Sequence, residues 1–228
     1  MIRFLLLDLD DTILDFHKAE QLALAKTLRD FDLEPTAAVC ARYSQINREH
    51  WERLERKELT REQVLCGRFT VLFREYGRQV DARACADSYA HNLGIGHYFL
   101  PGALEALERL AKKYKLYIVS NGTASVQSGR LKSANIGHYF QGIFISQDMG
   151  ADKPDKVFFE NVFSRIPDFD PAMAMIVGDS LTSDILGGIR AGIRTCWVNP
   201  TGKPPRPDIV PDYEIQGIWQ LEALLEGL

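Results

Sequence analysis

The sequence predicts an α/β fold, in which a doubly wound parallel sheet carries an inserted block of helices. The chain opens with an unbroken apolar run, and short apolar runs alternate with helix-like segments from about residue 101 onward. Between these two regions, residues 18 to 92 have helical periodicity and no strand signal. Alternating helices and apolar strands are typical of a parallel sheet that is covered on both faces.

The first predicted strand, Ile2–Leu7, runs directly into Asp8, Asp10 and Asp11, and Thr12 follows them. Carboxylates at the mouth of an apolar core repel one another and lose water, and a hard cation relieves both penalties. Side chains alternate along a strand, so Asp8 and Asp10 share one side while the strand persists, and Asp11 faces solvent or caps a helix. Two acids on one side suit Mg²⁺, which takes oxygen ligands. The alternative is an acidic turn after a core strand.

The inserted block contains signals for four helices. The first two are expected around Leu22–Leu28 and Val39–Leu54, where apolar residues recur at helical spacing. Thr60–Gln63 has the form of a capping box and opens the third helix, which Gly77 can end. Asp81 is placed to cap the fourth.

Polar residues follow three of the later predicted strands. These strands and one more are expected at Leu116–Val119, Ile143–Ile145, Met173–Val177 and Thr195–Val198. Ser120 and Asn121 follow the first of them, Lys153 comes shortly after the second, and Asp179 follows the third. Ligands of a doubly wound sheet bind beyond the carboxyl ends of its strands, so these side chains are expected at one edge with Asp8.

The composition argues against several classes of partner. A formal net charge of −4 gives no basic footprint for a nucleic acid polymer or an anionic membrane. The apolar start is too short for a signal-peptide core or a membrane span, which favours a cytoplasmic enzyme. The cysteines lack the spacing of a zinc site or a redox dithiol. They are Cys40, Cys66, Cys85 and Cys196.

Taken together, the ordered motifs resemble those of the haloacid dehalogenase (HAD) superfamily of phosphatases. The matching residues are Asp8 to Thr12 for the Asp-x-Asp-x-Thr motif, Ser120, Lys153, and Gly178-Asp179 to Asp184. The resemblance implies a Rossmann-like core at residues 1–16 and 99–228. It also implies a mostly helical cap at residues 17–98.

The resemblance implies a covalent mechanism, which divides a difficult hydrolysis into two easier steps. Asp8 is then the nucleophile that forms an aspartyl-phosphate. Asp10 protonates the leaving alcohol and later deprotonates the attacking water. Mg²⁺ is implied as the cofactor, held by Asp8, the main-chain carbonyl of Asp10 and Asp179.

Further roles follow from the same resemblance. Ser120 and the main-chain amide of Asn121 are expected to bind phosphoryl oxygens, and Lys153 offsets the charge of nucleophile and phosphate. Thr12 is expected to fix the turn. Asp184 is expected to orient metal-bound water or the lysine without binding the metal directly.

Within the superfamily the chain looks most similar to the bacterial pyrimidine 5′-nucleotidases. The core residues that carry this similarity are Asn121–Thr123, Gln127, Arg130, Leu131, Asp184–Ile189 and Cys196-Trp197. Cap segments that include Arg68 are similar as well. Arg68 is a candidate substrate contact. The cap aromatics Trp51 and Phe69 could stack on a nucleotide base or pack in the helical core of the cap. Aromatic residues at helical spacing pack in a core more often than they stack on bases.

These observations favour a Mg²⁺-dependent phosphomonoesterase that acts on small phosphorylated metabolites, with nucleoside 5′-monophosphates as the favoured class. A sugar-phosphate phosphatase or a phosphomutase of the same superfamily is the alternative. A non-catalytic binder of phosphorylated metabolites is a further alternative, because a fold alone does not establish activity. Dehalogenation is disfavoured, since that branch does not need the metal and lacks the acid found at Asp10.

Overall fold

A computed structural model describes all 228 residues, apart from the side chain of Glu55, and divides into two compact units. The first unit is Met1–Phe16 with His97–Leu228, and the second is His17–Gly96. The sequence prediction ended the insertion at residue 98. In the structure Tyr98 belongs to the first unit, where its carbonyl oxygen accepts a hydrogen bond of 2.7 Å from the amide of Asp15.

The first unit is built on six parallel strands, which confirms the predicted fold class. The strands are β1 (Phe4–Leu7), β2 (Lys115–Ser120), β3 (Phe140–Ile145), β4 (Ala174–Gly178), β5 (Arg194–Val198) and β6 (Tyr213–Ile215). Their order in the sheet is β3-β2-β1-β4-β5-β6. The sequence predicted the first five strands and missed β6. This edge strand has only three residues and follows a proline-rich segment, so it carries no periodic signal.

Ten α-helices accompany the strands in the described residues. They are α1 (Phe16–Asp30), α2 (Ala37–Glu55), α3 (Arg61–Glu75), α4 (Ala82–Gly94), α5 (Ala103–Leu110), α6 (Ala124–Ala134), α7 (Ser146–Met149), α8 (Lys156–Phe163), α9 (Leu186–Ala191) and α10 (Leu221–Glu226). Among these residues, no helix is both long enough and apolar enough to cross a bilayer.

The two faces of the sheet are buried by different helices. Leu5 and Leu7 of β1 belong to one apolar cluster, which includes side chains of α5 and α10. Phe4 and Leu6 point to the opposite face and belong to a second cluster that includes α8. Alternate residues of a strand face opposite sides, so a strand buried on both faces must be apolar throughout. This requirement explains the unbroken apolar run at the start of the chain.

The winding of the sheet reverses at β1. The strands β2 and β3 lie on one side of β1, and β4, β5 and β6 lie on the other. Such a reversal opens a crevice beyond the carboxyl end of the central strand. Asp8 is the first residue beyond β1, and its amide donates a 2.9 Å hydrogen bond to the carbonyl oxygen of Val177 in β4.

The second unit contains most of α1 together with α2, α3 and α4, and its helix boundaries confirm the sequence signals. Thr60 and Gln63 form the predicted capping box at the start of α3. Gly77 lies two residues beyond α3 with φ of 66°, the left-handed conformation that favours glycine at a helix end. Asp81 accepts hydrogen bonds from the first turn of α4.

Candidate active site

A buried ammonium group joins two carboxylates beyond the carboxyl end of β1. The Nζ atom of Lys153 donates to Asp8 Oδ1 at 2.7 Å, to Asp184 Oδ1 at 2.6 Å and to the carbonyl oxygen of Val119 at 2.7 Å. A lysine has three protons to donate, so all of them are used. Burial lowers the pKa of Lys153, but Asp184 and Asp8 more than offset this effect, and the pKa lies above its ordinary value. The lysine is therefore a fixed positive charge.

Asp8 has the environment of a strongly perturbed carboxyl group. Burial raises the pKa of Asp8 well above its ordinary value, and Lys153 opposes that rise. The neighbouring carboxylates of Asp184, Asp10 and Asp179 raise the pKa further, because like charges disfavour ionisation. A strongly perturbed acid in a crevice of this kind is characteristic of a functional site.

Three carboxylates are close enough to share a metal ion. Ligand oxygens of Asp8, Asp179 and Asp184 all lie within 4.8 Å of one another. Lys153 compensates one of the three negative charges, so a divalent cation would balance the other two. All the donors are oxygens, which fits Mg²⁺.

Asp184 differs from the other two acids in its contacts. Its Oδ1 accepts from Lys153 and its Oδ2 accepts a 3.1 Å hydrogen bond from the amide of Ser180. The Asp184 side chain packs against Gly178, where any larger residue would clash, because a Cβ at position 178 would lie 2.7 Å from the Cβ of Asp184. Both carboxylate oxygens are engaged by the protein, so Asp184 is suited to orient the lysine more than to bind a metal.

The pKa of Asp179 predicts how stability depends on pH when no metal is bound. Burial, with the charges of Asp184 and Asp11, raises the pKa of Asp179 from 3.8 to about 7. Between these values Asp179 holds a proton in the folded protein that it has released in the unfolded chain. Asp179 therefore contributes a fall in the free energy of unfolding of up to ~1.4 kcal/mol per pH unit as the pH rises from about 4 to about 7, in addition to the contribution of Asp8. Urea denaturation in the presence of EDTA measures this fall.

Saturating Mg²⁺ should reduce the same fall, because a bound cation stabilises the ionised carboxylate. Asp179→Asn is the control, since it removes the titrating group. An equally steep fall in Asp179→Asn would contradict the assignment to Asp179.

The loop that carries Lys153 is held by Asn121. The side chain of Asn121 accepts from the amide of Lys153 and donates to its carbonyl oxygen, both at 2.8 Å. The same amide group also donates to Ser183 Oγ at 3.2 Å. Asn121 was predicted to bind phosphate through its main-chain amide. In the structure its side chain joins the segments that bear Lys153 and Ser183.

Gln127 of α6 connects Asp10 with Ser120, and Arg130 of the same helix contacts Asp10 as well. Gln127 Nε2 donates to Asp10 Oδ2 at 2.7 Å and to Ser120 Oγ at 2.8 Å, and Arg130 Nη1 contacts Asp10 Oδ1. The sequence interpretation used Gln127 and Arg130 only as marks of a family branch. The sequence did contain a signal for this role. Gln127 and Arg130 are long polar residues three positions apart on the helix that follows Ser120, and residues at this spacing share a helix face.

The remaining acid of the opening motif caps a helix. Asp11 has φ of 54°, and its Oδ1 accepts a 2.9 Å hydrogen bond from the amide of Phe16, the first residue of α1. This contact confirms helix capping for Asp11. Thr12 is fully buried in the turn, and its hydroxyl has no hydrogen-bond partner among the described residues.

Arg68 lies within the helical unit. Its side chain is 4% exposed, and Nη1 donates to Asn47 Oδ1 at 2.8 Å. The guanidinium carbon lies 4.7 Å from the ring centre of Tyr89, 5.2 Å from Phe69 and 5.8 Å from Tyr43. These contacts are cation–π interactions that belong to the core of this unit. The aromatic residues that surround Arg68 therefore have a packing role.

Comparisons with known proteins match most or nearly all of the chain. The family model described as haloacid dehalogenase-like hydrolase matches residues 5–198. The HAD-hydrolase YfnB of Bacillus subtilis is 42% identical over 98% of this chain and 95% of its own length. The pyrimidine 5′-nucleotidase PynA of Streptococcus pneumoniae is 36% identical over 98% of this chain and 95% of its own length.

A further relative and a solved structure extend the comparison. The pyrimidine 5′-nucleotidase YjjG of Escherichia coli is 28% identical over 96% of this chain and 95% of its own length. A crystal structure of YfnB bound to magnesium covers 98% of both chains with a TM-score of 0.93.

Proposed function

The chain belongs to the haloacid dehalogenase-like hydrolases, and we propose that it hydrolyses small phosphomonoesters through a phosphorylated Asp8. One observation carries this proposal. The carboxylate of Asp8 lies at the reversal point of the sheet, 2.7 Å from the ammonium group of Lys153 and within metal-sharing distance of Asp179. The site therefore combines a nucleophile with the positive charge that a phosphoryl group requires.

In the first step, a carboxylate oxygen of Asp8 attacks phosphorus while the bond from phosphorus to the leaving oxygen breaks. Asp10 gives its proton to that oxygen, which departs as an alcohol. Lys153 orients Asp8 through Oδ1 and offsets the charge that gathers at the phosphoryl group. The product is an aspartyl-phosphate on Asp8.

In the second step, Asp10 takes a proton from water as the water oxygen attacks phosphorus. The bond between phosphorus and Asp8 breaks, which releases phosphate and restores the carboxylate. Ser120 and the main-chain amide of Asn121 bind the phosphoryl oxygens in both steps. Mg²⁺, held by Asp8, Asp179 and the main-chain carbonyl of Asp10, would supply Lewis-acid stabilisation of the phosphoryl charge.

Nucleoside 5′-monophosphates are the proposed substrate class. The support comes from two relatives that span nearly the whole chain, since PynA and YjjG are both pyrimidine 5′-nucleotidases. A phosphomonoester panel with Mg²⁺ tests this proposal. It should contain uridine, thymidine and inosine 5′-monophosphates beside glucose phosphates.

We expect kcat/KM to be highest for the pyrimidine nucleotides and EDTA to abolish the activity. Equal rates across the panel would contradict a nucleotidase. Transfer of phosphate to a second hydroxyl of a glucose phosphate would instead indicate a phosphomutase.

A further inference from the structure

Two polar residues of α6 contact the catalytic groups. We propose that Gln127 and Arg130 are positioning residues. Both fix the Asp10 carboxylate for proton transfer, and Gln127 also fixes the Ser120 hydroxyl as a hydrogen-bond donor to the phosphoryl group. This inference rests on the proposed function. It extends that function to two side chains that are not expected to touch the substrate.

Asp10 is held at both of its oxygens. Arg130 Nη1 contacts Oδ1, and Gln127 Nε2 donates to Oδ2 at 2.7 Å. Two contacts to different oxygens fix the carboxylate plane, whereas a single contact leaves the group free to rotate. The Asp10 side chain is still 27% exposed, while that of Arg130 is fully buried. The carboxyl group is thus held from the protein side and remains accessible to a reacting group.

The hydrogen bonds that the Ser120 hydroxyl accepts leave it to act as a donor. Its Oγ accepts from Gln127 Nε2 at 2.8 Å and from the amide of Gly122 at 3.2 Å. A hydroxyl has two acceptor lone pairs and one proton. With both lone pairs engaged, the remaining function of the Ser120 hydroxyl is to donate, which suits a phosphoryl oxygen.

The local chain makes this arrangement rigid. Gln127 is 1% exposed, and the turn before α6 leaves space for it, because a Cβ on Gly122 would lie 2.6 Å from Gln127 Cδ. The guanidinium carbon of Arg130 lies 5.6 Å from the ring centre of Phe16. Gln127 and Arg130 are three positions apart on one helix, so α6 places both from the same face.

The proposal predicts an effect that depends on the leaving group. Uridine 5′-monophosphate has an alkoxide leaving group, which needs the proton from Asp10. The p-nitrophenolate group leaves readily as an anion and does not need that proton. Replacing a residue that only positions Asp10 should therefore slow the first step strongly for the nucleotide and much less for p-nitrophenyl phosphate.

The experiment measures release of the first product in a single turnover with Mg²⁺, by quenched flow for uridine and stopped flow for p-nitrophenol. Arg130→Met is expected to slow uridine release about 10-fold or more beyond its effect on p-nitrophenol release. Gln127→Met should slow both reactions, and uridine release more strongly, because it also frees Ser120. Lys132→Met, which removes an exposed cation from the same helix, should leave both rates unchanged.

The outcomes separate the two proposals. Equal slowing of the two reactions in both variants, or no slowing, would overturn the positioning role while the phosphatase function stands. A native protein that releases neither product would overturn both proposals. Gln127→Met replaces one neutral side chain by another of similar size, so it provides the test if Arg130→Met does not fold.

Discussion

Replacement of Asp8 by asparagine is expected to abolish turnover of every phosphomonoester that the native protein hydrolyses. An amide cannot form the acyl phosphate, so the covalent route is closed, and kcat should fall by about 10⁴-fold or more. The fold should survive, because asparagine has nearly the same shape. Lys153 would also keep its contacts with Asp184 and the carbonyl oxygen of Val119.

The measurement is hydrolysis of p-nitrophenyl phosphate by folded protein in saturating Mg²⁺. Asp11→Asn is the matched control, since it also removes one acid from the opening motif. An asparagine at that position can still cap α1, so we expect activity close to that of the native protein. Native activity in Asp8→Asn would refute Asp8 as the nucleophile.

Replacement of Lys153 by methionine should impair both stability and activity. The ammonium group forms ion pairs with two buried carboxylates, Asp8 and Asp184, at 2.7 and 2.6 Å. Removing one partner of a buried ion pair leaves uncompensated charge, and we expect the free energy of unfolding of the metal-free protein to fall by about 3–5 kcal/mol. Activity should fall as well, because the phosphoryl group loses a nearby positive charge.

Urea denaturation with and without Mg²⁺ measures the effect of Lys153→Met. Mg²⁺ should stabilise the variant more than the native protein, because the ion then supplies charge that the lysine no longer provides. Lys132→Met serves as the control for loss of an exposed lysine. Equal stabilities of Lys153→Met and the native protein without metal would contradict this account of the charge cluster.

Much of the fold followed from the sequence because one physical requirement leaves a clear pattern. Strands buried on both faces must be apolar throughout, so β1, β2 and β4 were visible as short apolar runs. Their ends were equally visible, since Asp8, Ser120 and Asp179 interrupt or follow these runs with polar groups. The carboxyl ends of parallel strands meet at one edge, which makes proximity in space predictable without knowledge of side-chain contacts.

The side-chain contacts that could not be predicted from the sequence depend on tertiary packing. Gln127 and Arg130 contact Asp10 across separations of 117 and 120 residues, and their orientation depends on how α6 packs beside the sheet. The hydrogen bonds of the Asn121 side chain likewise follow from the approach of a distant loop. The spacing of Gln127 and Arg130 indicates a shared helix face, but it does not identify the distant residue that this face contacts.

The central claim is that Asp8 becomes phosphorylated during turnover, and chemical trapping tests it most directly. Borohydride reduces an acyl phosphate on aspartate to homoserine, which peptide mass spectrometry can locate. In native protein that is turning over uridine 5′-monophosphate with Mg²⁺, we predict homoserine at position 8, and none in Asp8→Asn. Rapid turnover without homoserine at position 8, or with homoserine at another aspartate, would contradict the account.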